Sequence, residues 1–403
     1  MDIDVDLIRR DLAQLVSIPS TGGTDAEVWV QRWTAATLAG LGLEVDHWRL
    51  DLDELRARPD FPGEEVDREE AWGCVGVSGP GQPALVLNGH VDVVPAGESE
   101  NWTNADPWHV REHDGRWFGR GVCDMKGGVA AIIAAARAVA DEPLARPFAV
   151  HTVIGEEDGG LGTFATLLRG HTGDACVIAE PTAHRIVTAN AGSLTFRLEI
   201  GGQATHGSMP QHGHSAITAF EHVHRALLEL SAHRNAKPPK PFDANPWPLS
   251  EGMVTAGDWS STVPDRLVAE GRFGVMPGES FAEAEAIFER TVADAAAKHP
   301  WLKHAAPTVT WPGGRFAAGR LPEGDRLADE VSGIVAASGA GAADVVGAPY
   351  GSDLRQYAAA GIPTLQYGPG DVSQAHSVDE SVAIDEVVRC AEVYARLILA
   401  RCG

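Results

Sequence analysis

The chain has 403 residues, 44% hydrophobic and 22% charged, and its 32 Lys and Arg against 56 Asp and Glu give a formal net charge of −24. This length predicts two domains, and the ordinary apolar content with 11 Trp and 11 Phe excludes a disordered chain. The acidic balance repels phosphate backbones and anionic lipid, so we expect no nucleic acid or membrane partner and favour cations or small molecules.

The N-terminal segment alternates acids with apolar residues and lacks the basic start and long apolar run of a signal peptide. The five cysteines are odd in number and far apart, without a CxxC pair. A disulfide framework or a thiolate zinc site is therefore not expected, and a reducing cytoplasm is the predicted location.

Helices and strands alternate along the first half of the chain. Helical periodicity covers 5–16 and 25–41, and the β-branched run at 83–94 is typical of a buried parallel strand. The pattern then predicts, in chain order, a helix at 127–140, a strand at 148–155, a helix at 163–170 and a strand at 175–181. This alternation predicts an α/β domain with a mainly parallel sheet flanked by helices.

The pattern changes after about residue 192. In chain order it predicts a strand at 193–202, a helix at 215–233, strands at 252–257 and 266–275, a helix at 280–298 and a strand at 307–311. This β-α-β-β-α-β order is that of a ferredoxin-like α+β domain. The chain then predicts a strand at 361–368 and a terminal helix at 385–402. We therefore expect one domain of 1–192 and 314–403, with a second domain, 193–313, inserted into it.

Metal-binding residue types follow the predicted strands, where the carboxyl ends of an open α/β sheet form a crevice. Two imidazoles and several carboxylates converging there would concentrate like charge, which a pair of divalent cations would neutralise. Seen alone, each histidine could be a surface residue and the Glu-Glu pair a helix start, but the placement recurs five times. The residues are His90, Asp92, Asp124, Glu156, Glu157, Glu180 and His376.

The segments GHVDVVPAG, GRGVCDMKGG, GEEDGG, AEPT and GPG followed by AHSVDE, with GGQATHGSMP, resemble the M20 family of zinc amidohydrolases and peptidases. The similarity is greatest to the acetylornithine deacetylase and succinyl-diaminopimelate desuccinylase branch. It implies a zinc-hydrolase catalytic domain, 1–192 and 314–403, and an inserted lid and dimerisation domain, 193–313.

The resemblance also implies a ligand set for two Zn²⁺, with Co²⁺ or Mn²⁺ as substitutes. His90, Asp124 and Glu180 would bind one ion, and Asp124, Glu157 and His376 the other, so that Asp124 is shared. Asp92 would orient the His90 ring, and Glu156 would be the general base for a water that the two ions activate. The family resemblance further implies a cis peptide bond after Asp124.

Four more residues are assigned by the same resemblance. His206 resembles a lid histidine that reaches the partner's active site and stabilises an oxyanion, although it could be an ordinary loop histidine. Arg272 resembles a lid arginine that receives the substrate carboxylate, or it is an exposed strand arginine. Ser261 stands where relatives often have an asparagine that binds substrate, and Arg355 is either a substrate-side residue or a structural ion-pair partner.

The resemblance thus implies a metal-dependent hydrolase that cleaves the amide bond of a small N-acyl amino acid, as a homodimer through the lid domain. A dipeptidase or carboxypeptidase of the same family, acting on a dipeptide or peptide, is an alternative. A non-catalytic metal-binding interaction protein is a second alternative. The presence of all the expected ligands and of the base argues against it.

Overall fold

The computed structural model describes residues 3–403, which divide into two units. The larger unit comprises the residues up to Ala189, together with Arg320–Val346 and Ser352–Gly403. The smaller unit comprises Asn190–Gly319 and Gly347–Gly351, so most of it is one continuous segment.

The larger unit contains a mixed sheet flanked by helices. Its helices are α1 (Val5–Ser17), α2 (Asp25–Gly40), α3 (Leu52–Arg56), α4 (Lys126–Ala138), α5 (Leu161–Leu168), α8 (Leu327–Val335), α9 (Leu354–Ala359) and α10 (Ile384–Cys402). The strands outside the smaller unit's own sheet are β1 (Glu44–Arg49), β2 (Trp72–Val77), β3 (Leu85–His90), β4 (Arg111–His113), β5 (Arg116–Phe118), β6 (Phe148–Val153), β7 (Cys176–Ile178), β8 (Ile186–Asn190), β14 (Gly319–Arg320), β15 (Val345–Ala348), β16 (Thr364–Gln366) and β17 (Ser381–Ala383).

The main sheet has nine strands in the order β1-β2-β6-β3-β7-β16-β8-β14, with β15 beside β8. The central strands β6, β3, β7 and β16 are parallel to their neighbours in that group, whereas β1, β2 and β8 pair antiparallel. The predicted α/β class is confirmed, and the antiparallel strands toward both edges make the sheet mixed. A separate three-stranded sheet joins β17, β5 and β4.

Local sequence explains the central elements. All six residues of β3 are buried, as expected of a parallel strand covered on both faces. The following helix α4 is rich in Ala and Gly and is buried along most of its length. A Cβ added at Gly128 would lie 2.2 Å from the Ala179 carbonyl oxygen, so glycine allows α4 to approach the loop after β7. This close packing brings the start of α4 to the carboxyl end of the parallel strands.

The smaller unit has the β-α-β-β-α-β order that the sequence predicts. Its strands and helices are β9 (Gly192–Gly201), α6 (Ala216–Arg234), β10 (Leu249–Ala256), β11 (Arg266–Val275), α7 (Phe281–Lys298), β12 (Thr308–Thr310) and the short β13 (Arg315–Phe316). The antiparallel sheet order β10-β11-β9-β12 is the ferredoxin-like arrangement. Phe196, Phe273 and Phe288 pack in its core, and α7 begins with a capping box between Ser280 and Glu283.

Among residues 3–403, no helix is both long enough and apolar enough to cross a membrane.

Candidate metal centre and active site

The candidate metal ligands lie where the parallel strands of the larger unit end. His90 is the last residue of β3, while Glu156 and Glu157 follow the end of β6 and Glu180 follows β7. Since β3 pairs in parallel with both β6 and β7, these three ends meet at one edge of the sheet. Asp124 precedes α4, and His376 lies in the loop after β16.

Asp124 stands between the two histidines. Its Oδ1 lies 3.1 Å from His90 Nε2, and its Oδ2 lies 3.6 Å from His376 Nε2. Glu180 Oε2 lies 4.0 Å from the same His90 nitrogen, and Glu157 Oε2 lies 3.1 Å from the His376 nitrogen. The two oxygens of the Asp124 carboxylate therefore face different neighbours, Oδ1 toward His90 and Oδ2 toward His376.

Glu156 lies close to the same cluster but faces a different part of it. Ligand atoms of His90, Glu156 and Glu180 lie within 4.8 Å of one another, as do those of His90, Asp124 and Glu157. Glu156 thus points toward His90 and Glu180, while its neighbour Glu157 points toward His376. The Oε1 atom of Glu156 is buried and has no hydrogen-bond partner among the described residues, so it can take a proton.

The orientation of His90 prepares one ring nitrogen as a ligand. His90 Nδ1 lies 2.9 Å from the backbone oxygen of Asp92. Because a carbonyl oxygen can only accept, Nδ1 donates to it, and Nε2, which faces Asp124, is the ring nitrogen that a metal ion would bind. The Asp92 carboxylate lies farther away, at 3.6 Å from Nδ1, and accepts instead from the Glu157 backbone N–H at 3.2 Å. Asp92 therefore contacts both the His90 ring and the Glu157 loop.

The concentration of acids in this site perturbs their ionisation. Burial raises the pKa of Glu156 and of Glu180 well above the usual range, and nearby carboxylates add to the shift. Burial also raises the pKa of Asp92 to about 7. Burial opposes charge on His90, but its hydrogen bond to Asp124 and the surrounding acids outweigh this and hold the His90 pKa well above its ordinary value. Carboxylates and imidazoles brought together out of water fit a divalent cation, which compensates such charge.

Glu380, a buried residue that the sequence analysis did not identify, holds the backbone of Asp124 and is itself bound by the buried Arg120. Glu380 Oε1 accepts the backbone N–H groups of Cys123 at 2.8 Å and Asp124 at 3.0 Å. Its other oxygen accepts from Arg120 at 2.7 Å and from the Gly121 backbone at 3.0 Å. Glu380 ends the AHSVDE segment already singled out for His376, but nothing in the sequence shows that it folds back onto GRGVCD. The Asp124–Met125 peptide bond is cis, as expected.

The Arg355 side chain is buried within the larger unit. The residue is 6% exposed, and its guanidinium donates to the backbone oxygens of Ser352 at 2.9 Å and Gly159 at 2.6 Å. Gly159 belongs to the loop that carries Glu156 and Glu157. These contacts favour the structural alternative for Arg355 over direct substrate binding.

The other three predicted residues lie in the smaller unit. His206 forms an isolated β-bridge with Thr262, and the Ser261 backbone oxygen accepts from Gly207 at 2.6 Å, so His206 and Ser261 lie on adjacent chain segments. His206 is exposed and its Nδ1 lies 2.8 Å from the Ser208 hydroxyl. Arg272 lies on β11, with its guanidinium 5.6 Å from the ring centre of Phe316.

The imidazole and carboxylate side chains of this cluster form a candidate site for a divalent metal ion. The profile of Peptidase family M20/M25/M40 matches residues 86–400, so the chain belongs to that family. Members of the family are metal-dependent hydrolases of amides or peptides, as the earlier resemblance implied.

Individual proteins support the same relation. The chain is 30% identical over 403 residues to the succinyl-diaminopimelate desuccinylase of Stenotrophomonas maltophilia (strain K279a), covering 96% of each chain. It is 27% identical to the N-formyl-4-amino-5-aminomethyl-2-methylpyrimidine deformylase of Bacillus subtilis (strain 168), over 93% of this chain and 89% of the relative. Human carnosine dipeptidase 1 has a similar fold, with a TM-score of 0.76 and 17% identity over 98% of this chain and 96% of that structure.

Proposed function

We propose that the protein is a deacylase, which hydrolyses the amide bond of a small N-acyl amino acid or related amine. The observation that carries the proposal is the meeting of five potential ligands and one further carboxylate, Glu156, at the ends of the parallel strands. His90, Asp124 and Glu180 would hold one divalent ion, and Asp124, Glu157 and His376 a second. We propose Zn²⁺ in both positions, because its ligands in hydrolytic sites are imidazole nitrogens and carboxylate oxygens.

Divalent ions at such a site supply Lewis acidity toward water and the substrate carbonyl. The protein's own part begins with the Asp124 carboxylate, whose backbone is held by Glu380. A fixed backbone keeps each Asp124 oxygen toward one histidine without reorganisation during the reaction.

Glu156 is proposed as the general base. Its buried carboxylate has a raised pKa, so it can take a proton from the attacking water and later deliver that proton to the leaving amine nitrogen. Glu157, which faces His376 at 3.1 Å, remains a ligand throughout. The adjacent side chains thus divide two roles because the turn directs them to different parts of the cluster.

The choice of an acyl group rests on the relatives' activities. The relatives named above and the acetylornithine deacetylase of Myxococcus xanthus, 28% identical over 374 residues, include three enzymes that remove a formyl, acetyl or succinyl group from an amine. We propose that Arg272 and Ser261 of the smaller unit contact the remainder of the substrate, where a planar guanidinium suits a carboxylate. Arg355 is proposed to support the Glu156 loop through Gly159.

A panel of substrates tests this function. We expect hydrolysis of at least one member among N-formyl, N-acetyl and N-succinyl amino acids, measured as release of free amine, with slower cleavage of dipeptides. A chelator should stop the reaction and added Zn²⁺ or Co²⁺ should restore it. Faster cleavage of dipeptides than of every acyl amino acid would favour the dipeptidase alternative, and metal binding without any turnover would favour the non-catalytic one.

We also propose that the protein is a homodimer through the smaller unit. Strand β10 is at the edge of its sheet and exposes apolar side chains, with Met253 61% and Val254 51% exposed. Helix α6 contacts β10 and exposes Ile217 and Leu228. An unpaired apolar edge next to an apolar helix face supports pairing with a second copy, since such edges otherwise promote aggregation.

If His206 serves the partner's active site, two inactive variants should complement each other. We expect His206→Ala and Glu156→Gln to be nearly inactive alone and to regain activity when mixed under conditions of subunit exchange. In the mixed dimer, one site combines an intact Glu156 with the partner's intact His206. Restored amine release, with dimers shown by analytical ultracentrifugation, is the measurement. A strictly monomeric active enzyme, or no recovery despite demonstrated exchange, would contradict the proposal.

The five cysteines are all buried and unpaired. This supports a cytoplasmic location for the enzyme, because free thiols persist in a reducing compartment.

A further inference from the structure

Residues 57–70, hereafter the strap, connect α3 to β2 in the larger unit without forming a helix or strand. The strap has a strongly acidic sequence, yet its Arg68 side chain is 0% exposed. Full burial of a guanidinium is costly unless carboxylates compensate it. The partners of Arg68 therefore show what the strap is built to hold.

Arg68 is clamped between two carboxylates, each through two hydrogen bonds. On one side, Nε and Nη2 donate to Glu27 of α2, both at 2.9 Å. On the other side, Nη1 and Nη2 donate to the two oxygens of Asp158, both at 2.8 Å. Such paired bonds fix distance and angle together, which a single bond does not.

Asp158 connects this clamp to the proposed active site. It follows Glu157 directly in the chain and lies two residues after Glu156. Its Oδ2 also accepts the strap's backbone N–H groups of Glu65 at 3.2 Å and Val66 at 3.3 Å. The strap thus holds the next side chain after the proposed base and ligand through both its backbone and Arg68.

The backbones of the strap and the Glu156 loop are also in close contact. A Cβ added at Gly159 would lie 2.2 Å from the Gly63 oxygen, and Gly159 has a φ of +151°. The strap is closed on itself by Arg56, which donates to Glu64 at 2.6 Å and to the Arg68 backbone oxygen at 3.1 Å. The Glu156 loop therefore packs against the strap backbone and has little space to move toward it.

We propose that Arg68 is a positioning residue, which acts through Asp158 to set the Glu156 and Glu157 carboxylates at the metal centre. This inference rests on the proposed function, which gives those carboxylates their roles. The inference gives the strap a role in positioning the active-site loop, in addition to any contribution to stability. Partners of metal ligands commonly change metal affinity or activity by about 10–100-fold when they are replaced.

The two arms of the clamp provide a matched pair of variants. Asp158→Asn and Glu27→Gln each neutralise one carboxylate that accepts two hydrogen bonds from Arg68, but only Asp158 belongs to the active-site loop. If Arg68 were only structural, both variants would lower the melting temperature and have similar effects elsewhere. We therefore compare melting temperature, Co²⁺ affinity, the Co²⁺ d–d absorption spectrum, kcat and KM.

We expect Asp158→Asn to weaken Co²⁺ binding by about tenfold or more, to change the d–d spectrum, and to lower kcat by about tenfold with a smaller change in KM. Glu27→Gln should lower the melting temperature while leaving Co²⁺ affinity and kcat within about twofold. Arg68→Lys, which keeps the charge but loses the planar fork, should resemble Asp158→Asn and replaces it if that variant fails to fold.

Equal effects of the Asp158 and Glu27 variants on Co²⁺ binding would overturn the inference. It would also be overturned if neither Asp158→Asn nor Arg68→Lys changed Co²⁺ affinity or kcat. Absence of turnover in the unaltered protein would contradict the proposed function alone, because the Co²⁺ readout would still test the clamp. An unaltered protein that binds no Co²⁺ would contradict both.

Discussion

Replacing Glu156 with glutamine is expected to lower kcat by about 10²-fold or more while bound metal stays unchanged. The amide keeps the size of the side chain but cannot take a proton from water. The buried Glu156 carboxylate has an oxygen without a hydrogen-bond partner among the described residues, which supports its proposed task of proton transfer. Steady-state kinetics on the substrate found by the panel, with elemental analysis of the same samples, is the measurement.

The neighbouring glutamate supplies the control for this experiment. Glu157→Gln should reduce bound metal as well as turnover, because Glu157 lies 3.1 Å from His376 within the proposed second ligand set. Similar metal loss in both variants would contradict the division of roles and favour Glu156 as a ligand, which its closeness to His90 and Glu180 also allows.

Replacing Asp124 with asparagine is expected to reduce bound metal from about two ions per chain to fewer than one, and to leave no measurable turnover. One carboxylate faces both His90, at 3.1 Å, and His376, at 3.6 Å, so its loss removes an anionic ligand from both proposed ions. Metal content after reconstitution and dialysis, together with kcat, is the measurement.

Asp385→Asn is a suitable control, because Asp385 lies on the surface of α10 with its side chain 73% exposed, in a helical ion pair with Arg389. It changes the net charge equally and should leave metal content and activity unaltered. Two ions retained by Asp124→Asn, or fewer than one in the unaltered protein, would rule out a shared-carboxylate site.

The difference between prediction and structure can be seen in the sheet. The long apolar runs before His90 and Glu156 predict buried strands, and β3 and β6 occupy them. Strands β1 and β2 were not predicted, because β1 is only partly buried and polar, and β2 contains two glycines. Their pairing is antiparallel and joins distant segments, which local periodicity does not report.

For the candidate site, the sequence by itself determined the residue types and their order. Ligand-type side chains after successive apolar strands must meet at the carboxyl edge of a parallel sheet, so His90, Glu157 and Glu180 could be assigned to one cluster from local pattern alone. The ferredoxin-like order of the smaller unit could also be predicted from the sequence, because the spacing of its apolar residues changes between strand and helix periods along the chain.

Only the tertiary structure decided which carboxylate faces which histidine, and what holds each one. Glu380 supports Asp124 from 256 residues away, and Arg68 reaches Asp158 across 90 residues. Each contact joins two segments whose local patterns are independent, so neither a motif nor a periodicity contains it. The carboxylates of Glu380 and Asp158 lose their water when the chain packs. Each then needs a hydrogen-bond donor from the protein, and a distant segment supplies it.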